Sequence, residues 1–222
     1  MLAIAEWVLI VVDILVAGRL LRQAGRRPHP PVPLPAVVLW LVVAIPSVLQ
    51  FVFPALLRVL EREPNQIEHH GQVWRVLTYV VVQDGGVVGT VGNLVLLAAV
   101  ALATAHTMRS GATVGVFVLG ALWFAGVSLA FGRAGAGNSG ATFCLGACLG
   151  GLAVIHGRDL LTRVLGVLPA IPGIVLIALS DVHGYALVFG TLVGLALGRL
   201  VPKVLIGLPP GDAHRKTLVG GS

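Results

Sequence analysis

The run Gly135-Ala136-Gly137-Asn138-Ser139-Gly140-Ala141-Thr142-Phe143 sets a serine between glycines at the head of an apolar segment. A helix that starts there leaves its first backbone N–H groups without intrahelical partners, and such donors suit a developing oxyanion. Downstream, Asp181-Val182-His183-Gly184-Tyr185-Ala186 puts a histidine at the head of a second apolar segment. An imidazole within reach of the Ser139 hydroxyl could take its proton and make the oxygen a nucleophile. Asn93, about two turns into the segment that begins near Gly86, carries an amide that could donate to the same oxyanion. Each residue also has a structural use: Ser139 as a helix cap, His183 at an interface, Asn93 as a hydrogen bond between helices. Asp181 could orient the imidazole, and suits a surface turn as well.

The segments that carry these groups are membrane segments. The 222 residues are 57% hydrophobic and 11% charged, which excludes an ordinary soluble domain. A crossing takes about 20 apolar residues, and the stretches 2–22, 36–60, 86–105, 112–131, 138–156, 160–179 and 183–200 read as seven crossings. The first contains Glu6 and Asp13 and is the least hydrophobic. The second is long, with Pro46 and Pro54 as sites for a kink. Between it and the third, Glu61 to Gln83 reads as an interfacial loop with short helical pieces around Trp74 and Tyr79. The expected organisation is an extra N-terminal transmembrane helix (1–23), a Pro-rich basic linker (24–34), a helical core (35–201) and a flexible cytoplasmic tail (202–222).

The net charge of +6 follows from topology and needs no nucleic-acid partner. If the first helix runs from outside to inside, only Arg58, Arg62, Arg75 and Arg133 of the fifteen Lys and Arg residues fall outside. That bias places the N-terminus outside and the C-terminus in the cytoplasm, and it puts Ser139 and His183 at similar depth near the outer surface. Below Ser139 come Phe143, Ala147 and Gly151; below His183 come Ala186, Gly190, Gly194 and Gly198. Two such mostly small stripes let helices approach closely enough for a Ser-His dyad.

Cys144 and Cys148 read as small packing residues. Glu68, His69 and His70 lack a further spaced ligand for a metal site, and no phosphate loop or nucleotide fingerprint is present. His106 and His156 fall at inner helix ends, where the helix dipole favours them.

Over residues 35–200, the ordered set Trp74-Arg75, Asn93, Gly137-Asn138-Ser139-Gly140 and His183 with Gly190 and Gly194 resembles the rhomboid family of intramembrane serine proteases. The resemblance implies an all-α polytopic membrane protein: a six-helix rhomboid-like core preceded by one additional N-terminal transmembrane helix. It implies Ser139 as nucleophile, His183 as base, and Asn93 with the Ser139 backbone N–H as oxyanion donors. Gly137, Gly140 and Gly190 support them, Phe143 packs against the base, and Trp74-Arg75 is the structural loop motif. It further implies no metal and no organic cofactor, and transmembrane protein substrates cut near their outer end; a short chain with no organelle-type presequence is expected to be a multi-pass protein of a bacterial plasma membrane. A loop around Leu179 to Val182 would cover the site.

The chain departs from the family pattern in three places. The histidine usual one turn before the asparagine is Gly89, an earlier histidine is replaced by Gln83 or Asp84, and the acid usual near the inner end of that helix is absent from Thr104-Ala105-His106-Thr107. These losses bear on a second reading, an inactive rhomboid-like protein that binds or escorts transmembrane helices. A solute transporter ranks last, because paired intramembrane charges and an inverted repeat are not evident.

Overall fold

A computed structural model describes residues 2–25 and 32–201. Most of the expected linker and the whole of the expected tail lie outside the described residues. Within them the secondary structure is helical, apart from one antiparallel bridge between Arg62 and Gly135.

The eleven helices are α1 (Leu2–Gln23), α2 (Leu34–Leu49), α3 (Ala55–Leu60), α4 (Pro64–Glu68), α5 (Arg75–Thr78), α6 (Gly86–Thr107), α7 (Ser110–Ala130), α8 (Ser139–His156), α9 (Leu160–Val167), α10 (Ala170–Ala178) and α11 (His183–Leu200), with a 3₁₀ turn at Tyr79–Val81. Among the described residues five segments are long and apolar enough to cross a membrane: α6, α7, α8, the α9–α10 pair and α11. The chain is an all-α, multi-pass membrane protein. α1 has the length but carries Glu6, Asp13, Arg19 and Arg22. α2 is 16 residues long, about 24 Å at the helical rise and short of the bilayer core.

Two segments differ from the sequence expectation. The long second crossing at 36–60 is not continuous: α2 ends at Leu49, the chain turns, and α3 starts afresh after Pro54. Proline lacks an N–H and disfavours the helical conformation in the residue before it, so Pro54 separates the two helices. Pro46 lies inside α2 without ending it. The stretch 160–179 is likewise two helices, parted at Pro169, the N-cap of α10.

α8 is the centre. Every residue from Ser139 to Ala153 is buried, and α1, α6, α7, α9 and α11 all pack on it. The closest approach is to α11. A Cβ on Gly190 would overlap the Cys144 carbonyl, one on Gly194 would overlap that of Cys148, and one on Gly151 would overlap the Thr191 carbonyl. The small stripe on α8 therefore runs through Cys144 and Cys148, both free and buried, more than through Ala147. Lipid chains are as apolar as the helices, so association rests on this backbone contact and its dispersion energy.

Replacing Gly194 by Val inserts atoms where the Cys148 carbonyl stands, at roughly 1–3 kcal/mol or more of overpacking. Thermal unfolding in detergent is expected to show a clearly lowered midpoint, whereas Gly126→Ala, with open space around its Cα, leaves the midpoint in place. A Gly194→Val midpoint equal to the wild type would contradict the α8–α11 contact.

Candidate active site

Ser139 is the first residue of α8 and His183 the first of α11. Because the two helices touch backbone to backbone below them, their heads stand side by side, and Ser139 Oγ lies 3.1 Å from His183 Nε2. The other ring nitrogen is held too. His183 Nδ1 is 2.7 Å from Asp181 Oδ1, and the same carboxylate oxygen accepts the His183 backbone N–H at 3.0 Å. The hydrogen bond from His183 holds the Asp181 carboxyl below its usual range. A carboxylate on Nδ1 fixes the tautomer that leaves Nε2 free to accept the serine proton.

Two aromatic rings set the imidazole plane. Phe143 meets it edge-on with centroids 5.7 Å apart, and Phe124 of α7 lies tilted against it at 5.0 Å. Gly140 makes room for Phe124, since a Cβ there would overlap the phenyl ring.

The segment leading into Ser139 is clamped by the 61–84 region. Arg62 and Gly135 exchange two backbone hydrogen bonds of 2.9 Å, Ala136 N donates to Asp84 Oδ2 at 2.8 Å, and Gly137 N donates to the Tyr79 carbonyl at 2.9 Å. Arg75 of the Trp74-Arg75 pair is buried and braces this loop, donating through Nη1 to the carbonyls of Arg58 and Glu61. Gly137 has φ +141°, a conformation side chains rarely adopt, and a Cβ there would crowd Gln83 Oε1 at 3.2 Å and Asn93 Nδ2 at 3.3 Å.

Gln83 is the hub of a polar frame. Its side-chain NH₂ donates to Ser47 Oγ at 3.1 Å and to Asn138 Oδ1 at 3.0 Å, while its Oε1 accepts from Asn93 Nδ2 at 2.7 Å. Asn138 in turn donates to the Asn93 carbonyl at 3.2 Å and to Thr142 Oγ1 at 3.0 Å. Asn93 is thus oriented with one amide hydrogen engaged, beside Gly137, and its second hydrogen remains to serve another acceptor. Together with the Ser139 N–H at the helix start, it supplies two donors of the kind that stabilise an oxyanion.

Ser139, His183 and Asn93 line one cavity of about 850 Å³, whose wall also includes Gly89 and the loop Leu179 to Val182. In that loop Ser180 has φ +61°. Among the described residues no group of three or more His, Cys, Asp or Glu side chains is placed to hold a metal ion; His69 and His70 are exposed on the loop.

The structure therefore brings together Ser139, His183, Asn93, Gly137, Gly140 and Phe143, with Gly190 setting the spacing underneath. Three contributors were not assigned from sequence. Phe124 carries no local signal of its place. Gln83 was legible only as a substitute for a histidine. Asp181, two residues from His183, had a signal in its spacing, but a turn aspartate has the same one.

No family model matches the chain, and no curated protein matches it.

The geometry puts the Ser139 hydroxyl within hydrogen-bond reach of a ring nitrogen that can accept its proton. A fluorophosphonate is expected to label Ser139, and labelling is expected to vanish in Ser139→Ala and His183→Ala. In Asp181→Asn it should slow by roughly ten- to a hundredfold, less than loss of the base itself, with Asp181→Glu recovering part of the rate. An Asp181→Asn rate equal to the wild type would leave the aspartate a turn former only.

Proposed function

We propose that this chain is an intramembrane serine endopeptidase of rhomboid type that cleaves transmembrane protein substrates near their outer end. The observation that carries the reading is the 3.1 Å approach of Ser139 Oγ to His183 Nε2, at the heads of two membrane-length helices and inside a cavity. The six-helix core is α2, α6, α7, α8, the α9–α10 pair and α11, with α1 as the added helix. The bias of basic residues favours an N-terminus outside and a C-terminus in the cytoplasm.

The chemistry follows from the groups. His183 Nε2 takes the Ser139 proton as Oγ attacks the scissile carbonyl carbon. The carbonyl oxygen becomes an oxyanion, held by the Ser139 N–H and the Asn93 amide. As the tetrahedral intermediate collapses, the C–N bond breaks and the imidazolium returns its proton to the leaving amine. Water, deprotonated by the same histidine, then hydrolyses the ester and frees Ser139. A regular helix hides its carbonyls, so substrates with small or helix-breaking residues near the cut are favoured.

The inactive, helix-escorting alternative draws its support from Gly89, which leaves the cavity without a second imidazole. It is separated by activity. Cleavage of a reporter transmembrane substrate in lipid vesicles is expected for the wild type and absent for Ser139→Ala and His183→Ala, while Asn93→Ala lowers kcat by roughly 10²–10³. Wild-type protein inactive in every lipid tested would favour the escort.

Gly89 lines the cavity one turn before Asn93, and no atom stands within 4 Å of where its Cβ would be. A side chain can start there without a clash. Gly89→His is expected to raise kcat several-fold in the same assay; a lowered kcat with unchanged folding would count against an oxyanion at this position.

A further inference from the structure

A transmembrane substrate has to approach Ser139 sideways, from the bilayer. Most sides of α8 are closed by direct helix packing. α11 lies against it through the glycine contacts above, and a Cβ on Gly150 would meet the Gly166 carbonyl of α9 at 2.6 Å. α10 and α11 are joined in the same way, with Gly173 2.9 Å from the Leu187 side chain by the same measure.

One side is different. α6 makes no comparable packing with α9 or α10, and α1 stands between them, touching α6, α8, α9 and α10. Leu9 and Asp13 of α1 lie over Gly146 of α8. At its N-terminal end Leu2 and Glu6, one turn apart, line the same cavity as Ser139 and His183. At its other end Arg19 Nη2 meets Asp159 Oδ1 at 2.7 Å, Arg19 Nε donates to Thr162 Oγ1 at 2.8 Å, and Gln23 donates to Asp159 Oδ2 at 2.7 Å.

The buried face of α1 is apolar at Ala5, Leu9, Val12, Val16 and Leu20, with one exception. Asp13 is fully buried, and neither carboxylate oxygen has a hydrogen-bond partner among the described residues. An unpartnered acid inside a membrane protein is unfavourable. It weakens the hold of α1 on α8 relative to an apolar helix of the same length.

We propose that α1 occupies the seat of the substrate helix. It fills the groove formed by α6, α8, α9 and α10 with its N-terminal end at the serine, and a transmembrane substrate reaches Ser139 when α1 gives way. The inference rests on the protease reading. It assigns the groove to a single apolar helix whose N-terminal end lies at the cavity, with a small apolar residue over Gly146 where α1 carries Asp13. The pairing of Arg19 with Asp159 latches α1 in place at the far end.

The test uses the full chain in lipid vesicles, with Cys144→Ala and Cys148→Ala removing the native thiols. Asp13→Cys and Gly146→Cys then place two thiols across the α1–α8 contact, where a Cβ on Gly146 meets the end of the Asp13 side chain. Oxidation is expected to lower cleavage of a reporter transmembrane substrate at least about tenfold while fluorophosphonate labelling of Ser139 stays within about twofold, and reductant restores cleavage. Equal cleavage by the fully cross-linked and reduced forms overturns the proposal, as does labelling that falls with cleavage, since α1 would then act on the serine itself. A second variant works in the other direction. Arg19→Ala with Asp159→Ala unlatches α1 and is expected to speed cleavage several-fold with labelling unchanged; slower cleavage overturns the proposal. Absence of labelling in the wild type would instead defeat the protease reading.

Discussion

The site depends on the contact of two helix backbones. α8 and α11 approach so closely at Gly151, Gly190 and Gly194 that side chains are excluded from the seam. Hydrogen-bond reach between the first residues of two helices is set by the distance between their axes, and only such a seam allows Ser139 and His183 to stand 3.1 Å apart. In a bilayer there is little hydrophobic gain from pressing helices together, so the seam rests on packing alone. The price is that a single methyl group at these glycines acts at the site.

Around the seam, polar groups are held by one another. The loop before Ser139 is tied to Arg62, Tyr79 and Asp84, and its asparagine to Gln83. Gln83 is buried and uses both ends of its amide, a fully satisfied arrangement of the kind that rigidifies a site where an unsatisfied one would be unfavourable. The imidazole is fixed by a carboxylate at Nδ1 and by two aromatic rings, which leaves Nε2 aimed at the serine. The proposed chemistry asks for this: a base whose position is settled before substrate arrives, and oxyanion donors that need no reorganisation.

The apolar segments were legible in the sequence because a membrane demands uninterrupted helices, and α6, α7, α8 and α11 fall where hydrophobicity puts them. Ser139, His183 and Asn93 were legible because polar residues in such segments are few. What escaped was tertiary. The break at Pro54 was visible as a residue but not as a consequence, since proline is tolerated within membrane helices when neighbours satisfy the freed groups, as at Pro46. The small stripe of α8 holds at Gly151, while above it α11 meets the backbone of Cys144 and Cys148 rather than Ala147. The place of α1 beside the site has no counterpart in local pattern at all: Glu6 and Asp13 marked the helix as unusual, and only the packing explains where those carboxylates go.

The proposed chemistry stands or falls with the Ser139 hydroxyl as a nucleophile facing two oxyanion donors. A crystal structure of the protein after reaction with a fluorophosphonate tests it most directly. The expected result is a covalent bond from phosphorus to Ser139 Oγ, with the phosphoryl oxygen about 2.7–3.1 Å from both the Ser139 N–H nitrogen and Asn93 Nδ2. An adduct on another residue, or a phosphoryl oxygen turned away from Asn93 toward the open cavity, would contradict it.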